Sequence, residues 1–132
     1  MVTIDRDTKI KTLQSPSMTT KIFHNPRCSK SRQTLQILTD RDEQLEVVEY
    51  LKTPPGKSEL TEIIQLLGIT PRELLRKGEA EYKEAGLNNM ELSDEQIIDA
   101  MVAYPKLIER PIVIKNNQAR LGRPPEQVVE IL

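Results

Sequence analysis

The stretch from Lys21 to Tyr50 limits the fold more than any other part of the sequence. Lys21-Ile22-Phe23-His24 is a short β-prone run, and Asn25-Pro26 breaks it, because proline lacks an amide donor and restricts the residue before it. A helix is predicted from about Ser29 to Thr39, with Leu35 and Leu38 among its buried positions. Leu45 to Tyr50 is β-prone again, bounded by the polar stretch 40–44 and by Thr53-Pro54-Pro55-Gly56. Two strands joined through a helix pair in parallel, with a right-handed crossover. The first third of the chain therefore reads as a βαβ unit.

The middle is helical. Leu60, Ile63, Ile64 and Leu67 recur at helical spacing within Glu59 to Leu67, and Gly68 ends that helix. Thr70-Pro71-Arg72-Glu73 is a capping box with proline at the first helical position. Ser93-Asp94-Glu95-Gln96 is a second box, opening a helix through Tyr104 that Pro105 stops. Ile112-Val113-Ile114 then reads as a strand, Asn116-Asn117 as a hairpin turn, and Gln118 to Leu121 as the returning strand. Pro124-Pro125 starts a final helix from Glu126 to about Ile131. The expected fold is α/β: a βαβ half and a ββα half on the thioredoxin-type plan, with a helical insertion between them. Residues 1–17 show no sustained periodicity and end in Ser15-Pro16-Ser17, so they read as a loose extension before a folded domain spanning 18–132.

Composition narrows the function. A chain of 132 residues makes one compact domain, and its 19 basic and 20 acidic residues nearly cancel. A polybasic nucleic-acid binder needs a large excess of lysine and arginine, so nucleic acid is not the expected partner. The longest apolar run, Ala100 to Tyr104, is too short to cross a membrane. With one cysteine, Cys28, and one histidine, the sequence supports neither an internal disulfide nor a cysteine-rich zinc site, and no metal is expected. A soluble, cytoplasmic, monomeric protein is the expectation.

The chemistry concentrates in His24-Asn25-Pro26-Arg27-Cys28-Ser29-Lys30-Ser31-Arg32, where a strand ends and a helix begins. A thiol at that junction faces unpaired amides and the positive end of a helix dipole, which favour thiolate over thiol. Charge is unevenly spread: residues 8–39 carry +6 with no acid, residues 110–125 carry +4 with no acid, and residues 40–109 carry −8. If the two basic segments meet in one sheet, the cysteine lies in an anion-attracting basin. A lone cysteine is most often a small buried hydrophobe, but this one is flanked by Asn, Pro, Arg, Ser and Lys. His24, four residues earlier, is placed to orient the turn. Ser31 stands where a C-x-x-C pair would have its second thiol. The cysteine therefore cannot resolve itself and needs an external thiol, while the Ser31 hydroxyl can donate to its thiolate.

The motif His24-Asn25-Pro26-x-Cys28-x-x-Ser31-Arg32 after a first strand resembles the glutaredoxin-coupled arsenate reductases. The likeness continues in Tyr50-Leu51-x-x-Pro54-Pro55, Gly68-Ile69, Leu74-Leu75-Arg76-Lys77, Pro105-x-Leu107-Ile108-x-Arg110-Pro111-Ile112-Val113 and Arg120-Leu121-x-Arg123-Pro124. It covers about residues 20–132 and matches the shorter branch of that family. The resemblance implies that Cys28 is the nucleophile that attacks arsenate, that glutathione is a co-substrate and no cofactor is bound, and that glutaredoxin removes the resulting mixed disulfide. It implies that Arg76, Arg110 and Arg123 bind the oxyanion, a role suited to the planar donor fork of a guanidinium. His24 and Ser31 match positions that tune the cysteine, and Arg110-Pro111 matches a conformationally special X-Pro bond opposite it. Arg120 has no counterpart in the family pattern. Two other functions stay open: a Spx-type regulator binding RNA polymerase, whose members typically carry C-x-x-C at this turn, and a related thiol- or glutathione-dependent reductase with another substrate.

Overall fold

The structure, a computed structural model, describes residues 19–132; the extension read at 1–17 and its boundary lie outside the described residues. Strand β1 (Thr19–His24) leads through helix α1 (Ser29–Asp40) to β2 (Gln44–Glu49), which pairs with β1 in parallel. Helices α2 (Lys57–Leu67), α3 (Ala80–Glu84) and α4 (Asp94–Ala103) form the insertion. The chain then returns as β3 (Ile112–Lys115) and β4 (Gln118–Leu121), an antiparallel hairpin whose first strand pairs with β1. The strand order is β2-β1-β3-β4. This is the thioredoxin-like arrangement, with βαβ and ββα halves sharing one sheet.

Side chains alternate across that sheet, and the alternation divides the core. Ile22 and Val113 point to the face covered by Leu38 of α1 and by Val128 and Ile131 near the C-terminus. Their neighbours Phe23 and Ile112 point the other way, into a larger cluster with Tyr50, Leu60, Ile63, Leu74, Ile97 and Met101. Each fully buried Leu or Ile here contributes roughly 1.5–3 kcal/mol of transfer free energy. The β3–β4 turn is made by Asn116 and Asn117, both at positive φ (56° and 60°), a conformation asparagine tolerates better than most residues.

Several elements depart from expectation. The Thr70–Glu73 capping box forms, but it opens only a 3-10 turn, Pro71–Leu74. Leu75 bridges Ile108, the Arg76 amide donates to the Leu107 carbonyl and the Glu109 amide to that of Leu74, so pairing holds the chain extended there. Helix α4 stops at Ala103, one residue early, because Pro105 disfavours helical geometry at Tyr104. The C-terminal helix is a 3-10 helix, Pro125–Ile131, which puts Val128 and Ile131 on one buried side three residues apart. In α1 the buried positions are Ser31, Thr34 and Leu38, with Leu35 only partly covered.

Candidate active site

Helix α1 begins in a turn held together by side chains. Asn25 Oδ1 accepts from the Arg27 amide at 3.0 Å, and the Cys28 amide donates to the Asn25 carbonyl at 3.0 Å. Arg32 Nη1 reaches back to the Pro26 carbonyl at 2.9 Å. Beneath the turn, His24 Nδ1 and the buried Ser31 Oγ share a hydrogen bond of 2.7 Å, and the Asn25 amide donates to the same Oγ at 3.0 Å. Burial holds His24 below the ordinary histidine value; Glu49 opposes this and Arg32 adds to it. The ring is therefore neutral at neutral pH and locks the turn through Ser31. The hydroxyl of Ser31, expected to donate to the Cys28 thiolate, makes its hydrogen bonds to His24 and Asn25 instead.

Cys28 is the N-cap residue of α1, with extended backbone (φ −98°, ψ 125°). Its thiol makes no full capping hydrogen bond, yet the Ser31 and Lys30 amides point toward Sγ closely enough to act on it. The first turn holds no acidic residue, so nothing there neutralises the positive end of the helix. Burial pushes the thiol up. The Ser31 and Lys30 amides and the Arg110 and Arg123 guanidiniums more than offset it, so Cys28 titrates below an ordinary thiol.

The three arginines singled out in the sequence are not equivalent. Arg110 and Arg123 both act on the thiol, and both precede cis prolines, Pro111 and Pro124. Between them stands Glu109, whose Oε1 lies 2.9 Å from Arg110 Nη1 and 3.8 Å from Arg123 Nε. Arg123 Nη1 also donates to the Arg110 carbonyl at 3.3 Å. Arg76 is held by Glu79 at 2.9 Å and by a longer contact to the Lys106 carbonyl, 3.4 Å; its charge acts on the Tyr50 hydroxyl. The two basic segments do meet, because β1 and β3 are neighbours. Not every basic residue joins the site: Lys115 pairs with Glu43 at 2.7 Å and Arg120 with Glu130 at 2.9 Å.

Three features went unread in the sequence. Tyr50, one residue past β2, is 1% exposed and lies within electrostatic range of Arg110, Arg76 and Cys28. Glu79 and Glu109 occupy the guanidiniums of Arg76 and Arg110, and an acid one or three residues from an arginine in sequence gives no sign of that. Gly122 follows β4 where a Cβ would lie 2.4 Å from Thr34 Oγ1 and 2.7 Å from Pro111 Cγ, so only glycine fits between α1 and the cis proline. Among the described residues no three of His, Cys, Asp and Glu gather closely enough to hold a metal ion, and no helix is long and apolar enough to cross a membrane.

A thiol of lowered pKa at a helix N-terminus, within range of two arginines, is an arrangement that could attack a tetrahedral anion. Comparison with known proteins points the same way. Residues 23–131 match the ArsC family. The uncharacterized protein YfgD of Escherichia coli is 53% identical over 113 residues, 85% of this chain and 95% of that protein. An arsenate reductase of Neisseria meningitidis is 47% identical, over 85% of this chain and 97% of its own length. A solved structure of an arsenate reductase from Vibrio cholerae superposes with a TM-score of 0.85 at 50% identity, covering 88% of this chain and 99% of that one.

Proposed function

The chain belongs to the ArsC family, and on that premise we propose that it reduces arsenate to arsenite through Cys28, with glutathione and glutaredoxin as reductants. The observation that carries this reading is the position of Cys28. It caps α1 beneath two amides and within range of Arg110 and Arg123, which lower its thiol pKa. Relatives of this chain named as arsenate reductases support the choice of oxyanion.

In this reading the Cys28 thiolate attacks the arsenic of arsenate and hydroxide leaves as water, giving a thiol–arsenate adduct in which arsenic is still pentavalent. Arg110 and Arg123, together with Arg76, would offset the charge that otherwise repels an anionic nucleophile from an anionic substrate. A glutathione thiolate then attacks Cys28 Sγ. The S–S bond forms, the As–S pair passes to arsenic, and arsenite departs as the trivalent product. Two thiols have supplied two electrons. No second cysteine stands in the chain to break the mixed disulfide, so glutaredoxin takes the glutathione in a further exchange.

The test is arsenate-dependent consumption of NADPH in an assay coupled through glutathione reductase, glutathione and glutaredoxin. Turnover is expected from the full chain and none from Cys28→Ser. Turnover that survives Cys28→Ser removes the nucleophile. Absence of any arsenate-dependent turnover, with the thiol intact and reactive, removes arsenate as the substrate.

A further inference from the structure

Among the described residues, only two buried side-chain polar atoms have no hydrogen-bond partner: the Tyr50 hydroxyl and Arg110 Nε. An orphaned buried donor costs about 1–3 kcal/mol, so these two call for an explanation. They belong to one place. The Tyr50 hydroxyl lies within electrostatic range of Arg110, and of Arg76 and Cys28 as well. Tyr50 follows the residue paired with His24 at the end of the parallel β1–β2 ladder, which brings it level with the turn leading to Cys28. Its ring is anchored in the larger core cluster, so the hydroxyl cannot swing out to solvent.

We propose that the Tyr50 hydroxyl and Arg110 Nε–H are donors for the oxyanion, unpaired in the free protein because the bound anion is their partner. The inference rests on the oxyanion-site reading above and adds Tyr50 to it as a binding residue. Arg110 commits Nη1 to Glu109 and keeps Nε free. The Asn25 carboxamide stands close enough to the phenol to act on it, but no full hydrogen bond joins the two, and the hydroxyl proton is left uncommitted. Burial raises Tyr50 above the ordinary tyrosine value, more than Arg110 and Arg76 lower it, so the hydroxyl keeps its proton and can donate. A neutral donor beside guanidiniums adds direction without adding charge. It favours an anion with an oxygen aimed at the sheet, as a tetrahedral oxyanion has.

The test measures protection of Cys28 from iodoacetamide by arsenate, phosphate and sulfate in the full chain, and compares it with Tyr50→Phe. The expected result is protection weakened about ten- to hundredfold in the variant, as for loss of a hydrogen bond to a charged group, with a thermal midpoint equal to or above that of the parent. A merely structural hydroxyl predicts the reverse: unchanged protection and a lower midpoint. Equal protection in the two proteins overturns the role of Tyr50 and leaves the oxyanion site standing. Failure of all three anions to protect the parent overturns the site and this inference together. A second measurement needs no Tyr50 variant. With fluorotyrosine incorporated and Tyr82→Phe and Tyr104→Phe used for assignment, the Tyr50 resonance should move with arsenate over the concentrations that protect Cys28. A resonance that stays fixed while protection saturates refutes the contact.

Discussion

Ser31→Ala removes the hydroxyl on which the turn before Cys28 depends, and its cost follows from two contacts. Ser31 is fully buried, and its Oγ satisfies His24 Nδ1 at 2.7 Å and the Asn25 amide at 3.0 Å. Truncation leaves both groups without a partner, and no other side chain among the described residues bonds either of them. A buried orphan costs about 1–3 kcal/mol. Two such orphans would cost about 2–6 kcal/mol; Asn25 is only partly buried and His24 can adjust, so the loss should fall in the lower half of that sum, roughly 2–4 kcal/mol. For a domain near a hundred residues that lowers the thermal midpoint by about 8–16 °C. Urea unfolding followed by circular dichroism reads the loss directly, with the slope against urea unchanged. The pairing itself is read by a double-mutant cycle with His24→Ala, where a coupling of about 0.5–3 kcal/mol is expected for contacting groups. A loss below about 0.5 kcal/mol, or additive single and double variants, would show that the hydroxyl does not hold the turn.

The thiol makes a prediction of opposite signs. Iodoacetamide reacts with the thiolate, so its rate falls as Cys28 is protonated, and the midpoint should lie below the ~8.5 of a free cysteine. Arg110→Gln should raise that midpoint by removing a charge that favours the thiolate, and Glu109→Gln should lower it by releasing Arg110 and Arg123 from their shared carboxylate. Movement of both variants in one direction, or a parent midpoint at or above the free-thiol value, contradicts the electrostatic account. Gly122→Ala should cost about 1–3 kcal/mol, because its Cβ meets the rigid Pro111 ring and a Thr34 hydroxyl already committed to the Lys30 carbonyl at 2.9 Å. Gly78→Ala, with open space around it, is the control. Denaturation of the two side by side decides, and equal stability would mean that α1 gives way without cost.

The order of elements was legible because it is written in local signals. Asn25-Pro26, Gly68, Ser93 to Gln96 and Asn116-Asn117 each fix a boundary through backbone chemistry of a few residues, and each boundary stands where it was expected. Expectation failed where tertiary pairing overrode a local signal. Thr70 to Glu73 carries all that a helix start requires, and the cap forms, yet pairing of 74–76 with 107–109 ends the turn after Leu74. That pairing joins segments more than thirty residues apart and leaves no periodicity to read. The same holds for Tyr50. Its apolar ring made it a strand residue in the β-prone run, and nothing in sequence shows that its hydroxyl would be buried without a partner in the range of Arg110.

The charge pattern shows where sequence reasoning stops and geometry begins. The segment 110–125 counts as purely basic only because the count starts one residue after Glu109. In the fold that acid is the nearest partner of Arg110 and also faces Arg123, while Glu79 holds Arg76. The site of the free protein is therefore less positive than its three guanidiniums suggest, and an arriving anion must compete with carboxylates already in place. Two consequences follow from the side-chain burial, 14% exposed for Arg110 and 23% for Glu109. The pair is dry enough for its attraction to matter, yet open enough that a multivalent oxyanion, with more charge and more acceptors than one carboxylate, can displace it. A monovalent anion gains little by the exchange. If the basin binds the oxyanion as proposed, the carboxylates should make it selective for charge density: phosphate or arsenate should protect Cys28 from iodoacetamide where chloride and acetate do not, and equal protection by chloride would refute the competition.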